Sequence, residues 1–257
     1  MPKIFLLALL VISGCASLPN STTANFNNHK IEFALTKNGS KTIVFENGLG
    51  AQMEWWKDVL PKVSNQITTF TYNRPGYGRS AAATSPRDGS NIVDELREIL
   101  RAKNLKPPYV LVGHSLGGLY MQLFARRYPH EVNALILVDS THPRQLEGNG
   151  ALEKHPLLVK IIFAALLNKT TKEELALLSK TGQDVLNLPV SPNVKVIILS
   201  AAKPLKYHSQ IADDSNEKRK DILNLYPHAK QIWVESGHAM PLENPDAIAQ
   251  AIAEVMN

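Results

Sequence analysis

The sequence predicts an α/β protein with a mostly parallel central sheet flanked by helices. Short apolar runs of strand length alternate with stretches of helical period along most of the 257 residues, the pattern of successive βαβ units. Those apolar runs are near-continuous, as expected for strands covered on both faces. One stretch, about 141–190, interrupts the alternation. It is far longer than an ordinary connection of about 4–6 residues and predicts a helical cap laid over one end of the sheet.

The elements follow in order. A first hairpin uses 30–36, and strands are expected at 42–46, 66–72, 109–113, 134–138, 194–199 and 231–235. Helices are expected at 54–60, 91–103, 116–128, 217–226 and 245–256, with Gly and Pro punctuating the joints. Within the cap stretch, 157–167 is an apolar helix-like run, and 171–179 opens with a Thr-x-x-Glu capping pattern. The apolar run suits an acyl or other apolar substrate and equally suits the cap's own packing.

Composition narrows the class. Apolar residues make up 44% and charged residues 20% of the chain, which excludes disordered and collagen-like proteins. The formal net charge is +5, but the basic residues are dispersed, so no nucleic-acid footprint is read. A weak attraction to anionic membrane surfaces is compatible with that charge. The single cysteine, Cys15, excludes an internal disulfide.

Residues 1–14 carry one lysine, an apolar run and a small-residue ending, the pattern of a secretory signal peptide. The run is too short to span a bilayer, which takes roughly 20 apolar residues. Ile12-Ser13-Gly14-Cys15 resembles a bacterial lipobox. The resemblance implies cleavage before Cys15 and lipidation of it, with residues 15–28 as a polar tether and 29–257 as the folded domain. The implied location is the bacterial cell envelope, on the outer-membrane side in a Gram-negative cell because Ala16 follows rather than aspartate.

The chemistry centres on Gly113-His114-Ser115-Leu116-Gly117, a G-x-S-x-G between an apolar strand and a helix. The chain must reverse sharply there, which strains the backbone at Ser115 and leaves no room for side chains at the glycines. The hydroxyl is then exposed beside a helix N-terminus, where developing negative charge is favoured.

With that motif the chain resembles the α/β-hydrolase family over nearly all of its length after the signal. Phe45-Glu-Asn-Gly-Leu-Gly50 stands where the family has its oxyanion loop, with Glu46-Asn47 in place of the commoner His-Gly. Tyr72-Asn-Arg-Pro-Gly-Tyr-Gly-Arg-Ser80 is similar to the family's Asp-Arg-Pro-Gly-Tyr-Gly-x-Ser segment, with Asn73 for aspartate. The insertion falls after the sixth strand, where the family carries its cap.

The resemblance implies Ser115 as nucleophile and His238, after the last strand, as its base, in the order Ser, acid, His. The commonest acid position, after the seventh strand, reads Leu199-Ser-Ala-Ala-Lys-Pro-Leu-Lys206 and holds no carboxylate. Asp139 closes the sixth strand, where some family members place their acid, and it is preferred. Asp213 and Asp214 are the alternatives, and a plain capping role for Asp139 stays open. Oxyanion donors would be the amides of Leu49 and Leu116. His114 is read as structural and His142 as a competing pocket residue.

The expected reaction is hydrolysis of a small-molecule ester-like substrate through an acyl-enzyme, with no metal or cofactor implied. A serine nucleophile disfavours haloalkane dehalogenase and epoxide hydrolase chemistry, which use aspartate. Thioester, lactone, carbon–carbon and amide bonds remain alternatives. So does a lipid-anchored binding protein that keeps the fold without turnover, because fold alone does not fix activity.

Overall fold

The computed structural model describes residues 18–26, 29–151, 154, 167–203 and 210–256. The expected signal segment, Cys15 and residues 157–166 of the apolar cap run lie outside the described residues.

Eight strands form one sheet: β1 (Ser21–Phe26), β2 (His29–Thr36), β3 (Thr42–Glu46), β4 (Thr68–Asn73), β5 (Tyr109–His114), β6 (Val132–Val138), β7 (Lys195–Ala201) and β8 (Lys230–Val234). Their order is β1-β2-β4-β3-β5-β6-β7-β8. β2 runs antiparallel to β1 and β4, and the pairs from β4 through β8 are parallel. The expected mostly parallel sheet is what the chain forms.

Alternate residues of the central strands feed two cores, as the two-residue period of a strand dictates. Val44, Leu111, Leu135, Leu137 and Ile198 face one, and Ile43, Phe45, Val112, Ile136, Val138 and Leu199 face the other. Helices α1 (Gly89–Ala102) and α2 (Leu116–Arg127) cover the first face. Helix α7 (Pro245–Met256) and a 3-10 turn at Met53–Trp56 cover the second. α2 is buried nearly all round, which fits a helix wedged between the sheet and other helices.

After β6 come α3 (Lys169–Ala176) and α4 (Leu178–Leu186). α4 packs on α1 and α2, and the Gly89 amide donates to Thr181 Oγ1 at 2.8 Å. α3 lies against the segment that follows β4: a methyl group at Gly76 would stand 1.9 Å from Thr170 Oγ1. The helical insertion after the sixth strand is therefore present. Two further helices, α5 (Gln210–Asp221) and the short α6 (Met240–Glu243), flank β7 and β8.

Three expectations need correction. The tether assigned to 15–28 contains a strand: Ser21–Phe26 pairs along its length with β2, from Ser21 opposite Ala34 to Phe26 opposite His29. Its residues are polar because it is an edge strand that packs mainly through Phe26 against Phe33. The helix expected at 54–60 is two 3-10 turns, Met53–Trp56 and Leu60–Lys62, with Pro61 opening the second. The helix expected at 217–226 begins earlier, at Gln210, and gives way to a 3-10 turn at Ile222–Leu225.

Candidate active site

The strand order reverses between β3 and β5: the chain steps from β3 outward to β4, then crosses back to β5. In open parallel sheets, ligand sites form at the carboxyl ends of the strands at such a reversal. The loop 47–50 leaves β3 there and Ser115 leaves β5, and the two strand ends are paired neighbours, Glu46 beside Gly113.

Ser115 sits between β5 and α2 with φ 52° and ψ −123°. A non-glycine residue in that region is strained, and such strain clusters at functional turns. Crowding enforces the turn. A methyl group at Gly113 would lie 2.6 Å from Gly117 O and Gly118 Cα, and one at Gly117 would lie 2.5 Å from Asn47 O and Glu46 O. The second contact shows how closely the elbow is pressed against the β3 loop.

His238 brings Nε2 to 3.0 Å from Ser115 Oγ and Nδ1 to 2.6 Å from Asp139 Oδ2. Asp139 follows β6, also at positive φ (39°), and it is buried. Its carboxylate also accepts from the Ala201 amide at 3.0 Å and from Arg219 Nε and Nη2 at 3.0 and 2.9 Å. Burial alone would raise its pKa. The hydrogen bond and charge of His238, then Arg219 and the Ala201 amide, outweigh that and hold the carboxyl well below the usual carboxylate range.

Thus three of the residues singled out in the sequence, Ser115, His238 and Asp139, form one hydrogen-bonded chain. Asp214 instead pairs with Lys218 at 2.6 Å, and Asp213 is exposed in the first turn of α5. His142 is apart from this chain: Nδ1 accepts from the Arg144 amide at 3.0 Å, and Nε2 lies 3.1 Å from Asp221 Oδ2.

His114 packs under the site. Its Nε2 bonds the His238 carbonyl at 2.8 Å, and its ring stacks on Trp55 with centroids 5.2 Å apart. Burial, reinforced by the nearby His238, pushes its pKa down to about 3, so it is neutral at ordinary pH. With its ring neutral, Nε2 carries the proton it donates to that carbonyl.

Leu49 is half-buried beside the elbow, and a methyl group at Gly48 would stand 3.1 Å from Ser115 Cβ. Leu116 opens α2, where an amide has no partner within the helix. Leu49 thus follows a residue in close contact with Ser115, and Leu116 directly follows the serine.

The sequence reading missed Arg219, Arg74 and Glu174. Arg74 was within a segment already singled out, but its role was not. Its buried guanidinium contacts Glu46, the loop carbonyls of Asn47 and Gly48, and Glu174 of α3. Asn73 turns out to be structural: it bonds the Met53 amide and Glu32, each at 2.8 Å. Arg219 had no local signal, since it lies in a charged helix whose approach to Asp139 is a tertiary event. Among the described residues, no cluster of His, Cys, Asp or Glu could hold a metal ion.

The alpha/beta hydrolase fold family matches residues 41–254. The chain belongs to that family. Among its relatives is the uncharacterized protein YqjL of Bacillus subtilis (strain 168), 37% identical over 98 residues, which are 38% of this chain and 39% of YqjL. Lipase 1 of Psychrobacter immobilis is 29% identical over 180 residues, covering 59% of this chain and 56% of the lipase. The chain thus spans well under two thirds of either relative. A thermophilic esterase from Thermogutta terrifontis has a similar fold, with a TM-score of 0.65 at 19% identity, covering 94% of this chain and 98% of the esterase. At that identity the likeness concerns fold alone.

Proposed function

We propose that this α/β-hydrolase-family chain is a serine hydrolase that cleaves an ester-type bond in a small molecule through an acyl-enzyme, with Ser115 as nucleophile, His238 as base and Asp139 as acid. The observation that carries the proposal is the continuous relay from Ser115 Oγ through His238 to Asp139, at 3.0 and 2.6 Å. Both lengths lie within hydrogen-bond reach, the first serving proton transfer and the second holding the imidazole in place.

In this reading Asp139 accepts from Nδ1–H, which leaves the Nε2 lone pair facing Ser115. His238 takes the hydroxyl proton as Oγ attacks the carbonyl carbon, and the oxyanion forms against the amides of Leu49 and Leu116. The imidazolium, balanced by Asp139, returns the proton to the departing alkoxide. Water then repeats the sequence on the acyl-enzyme and releases the acid. Ester as the bond type is supported by the lipase among the relatives.

The decisive experiment is hydrolysis of p-nitrophenyl esters from acetate to palmitate by wild type, Ser115→Ala and His238→Ala. Turnover lost in both variants, with a fluorophosphonate labelling only chains that carry Ser115, is the expected result. Either variant retaining activity within tenfold would overturn the assignment. We also propose attachment to the bacterial envelope through lipidated Cys15. Cys15→Ser should move the chain from the membrane to the soluble fraction, and unchanged fractionation would refute it.

A further inference from the structure

Arg74 is 1% exposed and meets five acceptors. Nε donates to Glu174 Oε1 at 2.9 Å, Nη1 to Glu46 Oε1 at 2.6 Å and to Asn47 O at 2.7 Å, and Nη2 to Gly48 O and Glu174 Oε2, both at 3.0 Å. A guanidinium has five N–H groups, so every donor is used. Two of the acceptors are carbonyls of the loop that carries Leu49.

The direction of the Leu49 amide follows from peptide geometry. Across a trans peptide the C=O and N–H point opposite ways. With Gly48 O drawn to Arg74, the Leu49 N–H faces away from Arg74. On the other side of Leu49, the Gly50 amide donates to Tyr77 Oη at 3.4 Å, and Tyr77 Oη donates to Glu174 Oε2 at 2.8 Å. One carboxylate therefore grips the loop on both flanks of Leu49, through Arg74 and through Tyr77. That carboxylate is itself 0% exposed and belongs to α3, the cap helix.

We propose that Glu174 is a positioning residue that couples the seating of cap helix α3 to the oxyanion loop, so that the Leu49 amide is aimed at Ser115 only while α3 is docked. This rests on the reading of Ser115 as nucleophile and Leu49 as oxyanion donor. With α3 displaced, Arg74 would lose two of its five acceptors and Tyr77 its own. Buried donors left unpaired are costly, so the guanidinium would turn from the loop carbonyls to find replacements.

The test is Glu174→Gln, which keeps shape but places an amide NH2 against Arg74 or the Tyr77 hydroxyl. We expect kcat on a p-nitrophenyl ester to fall about 10–100-fold, short of the loss of a whole oxyanion donor. KM should stay within about threefold, because the Glu174 side chain is fully buried and has no surface with which to touch a substrate. Independently of turnover, the 15N–1H amide signals of Gly48, Leu49 and Gly50 should shift, while those of α7 stay in place.

Unmoved loop amides in folded Glu174→Gln would overturn the proposal whatever kcat does. Shifted amides with unchanged kcat in an active enzyme would overturn it too, since the loop would then not set the rate. A wild type with neither turnover nor fluorophosphonate labelling would sink the hydrolase reading separately. The amide signals would still decide the cap-to-loop coupling. If Glu174→Gln does not fold, Tyr77→Phe cuts the Gly50 arm, together with the hydroxyl's contact to Thr171, and leaves the Arg74 arm in place. It should shift the Gly50 and Leu49 amides and lower kcat, and unmoved signals there overturn the proposal.

Discussion

Replacing Asp139 by asparagine strains the relay where its hydrogen bonding is most exacting. The carboxylate accepts four bonds, from His238 and Arg219 Nη2 on Oδ2 and from Arg219 Nε and the Ala201 amide on Oδ1. Asparagine offers one acceptor oxygen and one NH2. If its oxygen stays with Ala201 and Arg219 Nε, its NH2 meets His238 Nδ1–H and Arg219 Nη2. The easiest relief is for His238 to carry its proton on Nε2 instead, and that tautomer cannot accept a proton from Ser115. If the amide is flipped, its NH2 meets the Ala201 and Arg219 donors instead, so donor faces donor either way. Wrong-tautomer losses in such triads are about 10⁴ in kcat. At about 1.4 kcal/mol per tenfold this is about 5.5 kcal/mol of transition-state stabilisation.

The stability cost is a separate quantity. Arg219 is 12% exposed and would lose a charged partner, which should cost about 1.5–3 kcal/mol. The assay is kcat and KM on a p-nitrophenyl ester beside urea midpoints for Asp139→Asn, Arg219→Met and the double variant. The double variant should recover part of the stability and none of the kcat, because the tautomer problem persists. Asp139→Asn within tenfold of wild type, with Asp213→Asn or Asp214→Asn severe, would refute the reasoning and move the acid to α5.

Other perturbations have equally definite outcomes. His114 titrates near 3 when folded against an ordinary 6.5, so between those values the unfolded chain binds a proton that the folded one excludes. Its contribution is whole above about pH 6.5 and shrinks by up to about 1.4 kcal/mol per unit as pH falls, or about 2 kcal/mol by pH 5. Urea unfolding at pH 7.5 and 5.0 should show this, and His114→Asn should flatten it. Asp139 acts in the same direction lower down: its depressed pKa adds stability that is present above about pH 4 and is lost as pH falls further. Trp56→Phe removes the indole donor to Asn47 Oδ1, 2.7 Å away and buried, and should lower stability by about 1–3 kcal/mol in thermal or urea melts. Gly113→Ala presses a methyl group into Gly117 O and Gly118 Cα, and should cost about 1–3 kcal/mol with a fall in kcat.

The alternation of apolar runs with helical periods determined the sheet, its parallel core and the flanking helices, because burial on both faces writes itself directly into residue type. The glycines around Ser115 likewise announced the elbow, since only their absence of side chain admits Gly117 O and the Glu46 carbonyl at contact distance. Position after the last strand singled out His238. The tertiary structure decided what local sequence could not carry. Ser21–Phe26 is polar and becomes a strand only because β2 offers an open edge. The sequence favoured Asp139 over Asp213 and Asp214 only by its place at the end of β6, and its bond to His238, 99 positions further along the chain, is a tertiary event. Arg219, Arg74 and Glu174 reach their partners across separations of 80, 28 and 100 residues. Buried charges find stable homes only where several elements converge to supply acceptors, and that convergence is set by packing rather than by neighbouring residues.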